Sequence, residues 1–120
     1  MGKISSYKEL VAYQKAYKLV LDVYRISKSL PHEELYGLTS QIRRCAVSIP
    51  SNIAEGYMRG TREYVQFLKI ALGSAAELET QLNICKDLGY LNEKTVHETV
   101  ELCHEVLRLL KTYIQKVTTN

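Results

Sequence analysis

Tryptophan is absent from this 120-residue chain, phenylalanine occurs once and proline twice. Glycine is scarce too, at six residues, and no Gly- or Ser-rich tract, repeat or low-complexity run divides the sequence. No linker therefore marks a domain boundary, and the length suits a single domain with one modest core. No stretch reaches the roughly 18 consecutive apolar residues that a membrane span needs. The opening MGKISSYKEL lacks an apolar signal core, so the expected location is cytoplasmic, with no membrane partner. Gly2 and Ser6 fit the start of an N-myristoylation signal, a pattern short enough to recur by chance.

Chemical motifs are equally thin. There is no GxxxxGKS/T phosphate loop, no GxSxG elbow and no Cys–His pairing of a recognisable kind. The cysteines, Cys45, Cys85 and Cys103, are odd in number and irregular in spacing, and none belongs to a CxxC pair. Each falls on an apolar helical stripe, which predicts core packing and no disulfide framework. Glu101-x-x-His104 is half of a di-iron bundle motif, but no second pair exists, and Glu101, His104 and His97 fall off the core seam. Arg25 and His32 stand in the R-x6-H spacing of the HEPN ribonucleases, but Pro31 breaks the helix between them and Ile26 replaces the usual polar residue. No metal, cofactor or catalytic residue is expected, and the chain reads as a non-enzyme.

What the sequence does contain is helical periodicity. Hydrophobic residues make up 46% and charged residues 24%, a globular balance. A first helix is predicted over about 7–30. It has one stripe of Leu10, Tyr13, Tyr17, Val20 and Tyr24 and a second of Ala12, Ala16, Leu19, Val23, Ile26 and Leu30. Pro31 can open a short turn. A second helix over about 38–58 begins after Gly37 and carries Leu38, Ile42, Cys45, Ile49 and Ile53. Gly60 is placed to end it in a left-handed conformation, and Thr61 to cap the next helix, over about 62–88. That third helix holds Tyr64, Phe67, Leu68, Ala71, Ala75, Leu78, Leu82 and Cys85 on one seam, with Gly73–Ala76 thin enough for close approach. Gly89 stops it, and Asn92 caps a fourth helix over about 93–117. Its seam of Val96, Val100, Cys103, Leu107, Leu110, Ile114 and Val117 runs beside a second stripe of Leu102, Val106, Leu109 and Tyr113. The expected fold is all-α, an antiparallel up-down-up-down four-helix bundle with one domain over 1–120. The double stripes on helices one and four exceed what a lone bundle covers, and so predict an oligomer.

One stretch, SQIRRCAVSIPSNIAEG, sets a proline inside a helical pattern. Pro50 lacks the N–H that would bond to the Ala46 carbonyl, and its ring crowds that group, so a kink is expected. Ser48, Asn52 and Glu55 lie near one another on the flank, with Gln41 and Arg44 on the same side. Two roles are open for them: satisfying the disturbed backbone, or forming a polar site or subunit contact.

Charge is uneven. Residues 1–30 carry Lys3, Lys8, Lys15, Lys18, Arg25 and Lys28 against Glu9 and Asp22, a balance of +4. Residues 37–60 add Arg43, Arg44 and Arg59 against Glu55. Lys15, Lys18, Arg25, Arg43 and Arg44 are the candidate nucleic-acid contacts. The tyrosines of helix one could stack bases, or sit in a core or interface with their hydroxyls wet.

GLTSQIRRCAVSIPSNIAEGYMRG, followed by EYVQFLKIALGSAAELETQLNICKDLGYL, resembles the family of 23S ribosomal RNA intervening-sequence proteins, over about 7–116. The likeness to the accessory variability determinant of diversity-generating retroelements is looser. The resemblance implies a four-helix bundle assembled as a homopentamer and an RNA-linked gene context, and RNA or an RNA–protein complex is the partner expected for such a scaffold. The matching residues are Arg43, Arg44, Ser48, Pro50, Asn52, Glu55 and Gly56; the last five are expected in structure or subunit contact. A protein-interaction adaptor without nucleic acid, and a HEPN-like ribonuclease, are the alternatives.

Overall fold

The computed structural model describes residues 6–119, so the Gly2 position of the myristoylation pattern lies outside the described residues. Four helices account for most of the chain: α1 Val11–Ser27, α2 Leu38–Arg59, α3 Thr61–Asp87 and α4 Glu93–Thr119. No strand occurs among the described residues. In chain order each helix packs on the next, and α1 also packs on α4, which closes the four around one core. Paired residues on α2 and α3 run in opposite senses, Gly56 beside Phe67 and Ser48 beside Ser74.

The core is drawn from the stripes read in the sequence, but only the second stripe of the first helix is buried throughout. Ala12, Ala16, Leu19, Val23 and Ile26 of α1 are buried with Ile42, Cys45, Ile49 and Ile53 of α2. Leu68, Ala71, Ala75, Leu78, Leu82 and Cys85 of α3 meet them, with Val96, Cys103, Val106 and Leu110 of α4. All three thiols are free and buried. Burial pushes the Cys45 thiol up to about 11 and the Cys103 thiol up to about 12, so neither is poised as a nucleophile.

Several boundaries differ from the periodicity. The first helix is expected from Tyr7, but Tyr7–Glu9 form a single 3-10 turn and Leu10 is extended (φ −70°, ψ 129°) before α1 begins. Leu10 offers no capping oxygen, and the Ala12 N–H donates instead to the Tyr113 hydroxyl of α4 at 3.3 Å. The far end of α1 stops at Ser27, short of Leu30. There the Ser27 and Ser29 hydroxyls donate to the carbonyls of Tyr24 and Ile26, at 3.1 and 2.8 Å, and compete with the helical ladder.

Gly60 has φ +101° but ψ 176°, so it is not in the left-handed helical region expected of it. It reverses the chain alone, and Thr61 is the first residue of α3, not its cap. The other predicted stops and starts hold. Gly89 takes φ +80°, and the Tyr90 N–H returns to the Cys85 carbonyl at 2.8 Å. The Asn92 side chain accepts from the Thr95 N–H at 2.8 Å.

Within the thin Gly73–Ala76 stretch, the Ala75 carbonyl accepts from the Cys103 thiol of α4 at 3.2 Å and Ser74 meets Ser48 of α2, whereas a Cβ at Gly73 itself would meet nothing within 4 Å. The tight contact lies at Gly56 of α2, where a Cβ would sit 2.6 Å from the Phe67 Cβ. Gly56→Ala therefore gains up to about 1 kcal/mol of helix propensity and loses about 1–3 kcal/mol to overpacking against an atom fixed to the α3 backbone. A lower urea midpoint is expected, and a raised one would show that α2 and α3 separate without cost.

Candidate functional site

The serine and asparagine of the Pro50 stretch form a network across α2 and α3. Ser48 and Ser74 hydroxyls lie 2.8 Å apart, and the Asn52 amide donates to both the Ser48 hydroxyl and the Ser48 carbonyl, at 2.9 and 2.7 Å. These groups are half-buried and satisfy one another. Glu55 is not part of the network. It accepts from Arg59 at 3.0 Å, and Arg59 also donates to Glu63 at 3.1 Å, a chain of exposed ion pairs across the turn at Gly60. Pro50 is buried inside α2, which runs from Leu38 to Arg59.

The five candidate cations fall into two groups. Lys15, Lys18 and Arg25 face the α1–α4 side. Lys15 meets Glu105 of α4 at 3.4 Å, while Lys18 and Arg25 share the two oxygens of Asp22, at 3.0 and 3.5 Å. Their neighbourhood mixes both signs, since Lys18, Asp22, Arg25 and Glu98 line one groove. Arg43 and Arg44 stand on the α1–α2 side. Arg43 Nε donates to Ser27 Oγ at 2.8 Å, and its guanidinium lies 4.8 Å over the Tyr24 ring. Arg44 is exposed, with no carboxylate at ion-pair distance among the described residues.

Helix one's tyrosines also divide. Tyr7 packs edge-on to Tyr13 and Tyr57, and Tyr57 edge-on to Tyr64, plugging one end of the bundle. Burial there raises the Tyr64 phenol to about 12. Tyr17 and Tyr24 are exposed. With Leu21, Leu35, Tyr36 and Val47 they put six of the exposed large apolar side chains around α1 and α2. A groove of about 330 Å³ between these helices is lined by Tyr13, Tyr17, Val20, Leu21, Val47, Pro50, Ser51 and Ala54. Val47 joins it to a second recess holding Tyr24, Leu35, Tyr36, Arg43 and Arg44. Leu21 belongs to neither predicted stripe, yet it stands four residues after Tyr17 and three before Tyr24 and lines the groove beside Tyr17. The i, i+4, i+7 spacing of Tyr17, Leu21 and Tyr24 was its signal.

Helix four behaves differently. Of its second stripe, Val106 is buried, and Leu102, Leu109 and Tyr113 pack half-buried against the core, so the chain itself covers what the sequence left open. His104 Nε2 lies 2.9 Å from Glu79 of α3 and Nδ1 3.8 Å from Glu101, at the surface. Among the described residues no three His, Cys, Asp or Glu side chains could hold a metal ion. Arg25 and His32 line different grooves, Arg25 with Thr95 and Glu98, His32 with Pro31 and Thr39. A further polar residue escaped the sequence reading. Glu34 accepts from the Leu38 N–H at the start of α2 and from the Tyr90 hydroxyl, both at 3.0 Å, and so ties the α1–α2 connection to the α3–α4 turn.

No helix among the described residues is long and apolar enough to cross a membrane. No curated protein matches the chain. A solved structure from Bacteroides thetaiotaomicron, a protein of unknown function from the S23 ribosomal protein family, is similar in fold with a TM-score of 0.81. The two sequences are 24% identical, over 88% of this chain and 96% of that one. The model of the 23S rRNA-intervening sequence protein family matches residues 8–112. That span takes in α1, α2 with the Pro50 stretch, α3 and most of α4, and the chain belongs to the 23S rRNA-intervening sequence protein family.

Proposed function

We propose that the chain is the protomer of a non-enzymatic, cytoplasmic, homo-oligomeric scaffold that associates with RNA or an RNA–protein complex. A homopentamer is the state that the family resemblance suggests, and the looser likeness to the retroelement determinant points the same way. The observation that carries the reading is the apolar α1–α2 face: six large side chains exposed together exceed the scattered exposure a monomer carries. An up-down-up-down order with a bend at Pro50 fits it, because the bend would shape the groove that Pro50 lines. Light scattering should return a multiple of 13.7 kDa at micromolar concentration; a monomer mass overturns the scaffold.

Pro50→Ala separates packing from assembly. Alanine would raise helix propensity by about 3 kcal/mol if the proline only interrupts α2. Weaker assembly is expected, since the change alters the groove itself. An unchanged oligomer with a higher melting temperature would remove Pro50 from the contact.

RNA association rests on the cations. Surface ion pairs of the kind Lys15, Lys18 and Arg25 make are worth under about 1 kcal/mol, so phosphate can compete for them. Binding would be weak in sequence preference and steeply salt-dependent. The triple replacement Lys15→Gln, Lys18→Gln and Arg25→Gln should weaken binding to a structured RNA and flatten its salt slope, with the helical content intact. Absence of wild-type binding even at low salt would leave the adaptor reading, which the acidic partners of these three residues favour. A HEPN-like ribonuclease is disfavoured by the separate grooves of Arg25 and His32.

A further inference from the structure

The α1–α2 groove is concave because its α2 wall is built from Pro50, Ser51 and Ala54, all short, while Tyr13, Tyr17 and Leu21 stand up on the α1 side. Arg43 and Arg44 rim its continuation, and no carboxylate lines either recess. A second unpartnered apolar surface lies elsewhere on the same chain. Ile70 and Ile84 of α3 are exposed, with Glu77 midway between them, and Leu88 follows one turn on. Ile70, Glu77 and Ile84 are seven residues apart, so they align along one side of the helix.

We propose that the α1–α2 groove of one copy receives this outer stripe of α3 from a second copy, each chain offering unlike faces to two neighbours. The inference rests on the oligomeric reading above and assigns its contact. Three features favour this occupant. The shapes correspond: a single ridge with two isoleucine knobs meets a trough, where a groove facing a groove would leave both troughs unfilled. The lengths correspond, since Ile70 to Ile84 spans about 21 Å and the α1 wall from Tyr13 to Tyr24 about 16 Å at 1.5 Å per residue. The charges correspond as well. Glu77 is exposed on the stripe although its carboxylate accepts from Gln81 Nε2 of its own helix at 3.3 Å, and it sets an acid against a rim of two arginines, whereas self-contact of the groove would gather four arginines with no acid among its lining residues.

The position of the two faces also bears on how copies add. Val47, Pro50 and Ala54 of α2 form part of the groove. The α3 stripe lies past the opposite flank of α2, where Ser48 meets Ser74 and the Glu77 carboxylate acts on the Cys45 thiol. Both faces thus adjoin α2, at one corner of the bundle. Head-to-tail contacts through adjacent faces turn at every step, and such a contact makes a ring where the rotation closes and a helical filament where it does not. The outward side of α4, with His97, Glu98, Glu101, Arg108 and Lys111 exposed, is left to solvent.

Two double variants test the assignment in the full chain. Leu21→Glu with Val47→Glu spoils the groove, and Ile70→Glu with Ile84→Glu spoils the stripe. All four positions are exposed in the single chain, and retained far-UV circular dichroism and cooperative melting confirm that each variant folds. By light scattering at high micromolar concentration each variant alone should run near 13.7 kDa. Mixed in equal amounts they should give a species of twice that mass and nothing larger, because one intact groove meets one intact stripe and both remaining faces are spoiled. Glu101→Lys on α4 should keep the wild-type mass. If the stripe variant assembles like wild type, or the mixture stays monomeric, the proposed contact is wrong although the oligomer stands. A monomeric wild type would overturn the oligomer as well.

Discussion

One residue, Gly60, separates α2 from α3, and the packing of the bundle follows from that shortness. With no loop to absorb a gap, α3 must start against the end of α2. Gly56 is what lets it: any side chain there would enter the space of the Phe67 Cβ. The same closeness sets the register further along, so that Ser48 reaches Ser74 and the Cys45 thiol feels Glu77. A positive φ at Gly60 and a missing Cβ at Gly56 are backbone demands that only glycine meets without strain. The family motif around Pro50 therefore ends in glycine for a reason of packing, whatever else its polar residues do.

The second constraint is at the other end of the molecule. Glu34 fixes the start of α2 and the start of the α3–α4 turn with its two oxygens. Gly37 again leaves the room, since a Cβ there would lie 2.6 Å from the Glu34 Oε1. The tyrosine cluster of Tyr7, Tyr13, Tyr57 and Tyr64 plugs the opposite end. Both ends being tied, the four stripes between them are held in one register and form a continuous core.

The core was legible because burial follows a period of 3.6 residues whatever the neighbours are. Ala12 to Ile26, Ile42 to Ile53, Leu68 to Cys85 and Val96 to Leu110 were all placed correctly from spacing alone. Ends were less legible, because they depend on single hydrogen bonds. Ser27 and Ser29 shorten α1 by bonding backward, and the Tyr113 hydroxyl replaces a missing cap from 101 residues away. No local pattern carries such a partner. Polar contacts suffered likewise: Glu55 turned toward Arg59 because an arginine four residues on is a nearer partner than the Ser48 pair. The same double-stripe pattern on α1 and α4 had two different outcomes. Leu102, Leu109 and Tyr113 lean on the core, whereas Tyr17, Leu21 and Tyr24 remain open. Which neighbour covers a wide apolar arc is a property of the closed bundle, not of the helix.

Charge deserves the same distinction between count and place. The +4 balance of the first thirty residues suggests a basic helix, yet three of its cations face carboxylates of α1 and α4. Arg43 and Arg44, from a segment with a smaller excess, face no carboxylate at ion-pair distance among the described residues and stand beside exposed Tyr24, Leu35, Tyr36 and Val47. A cation that faces no carboxylate of its own chain need give up no ion pair to meet an incoming acid. Exposed apolar area and unneutralised charge therefore coincide on the α1–α2 side. On the α4 side, both signs are present and the apolar stripe is already covered.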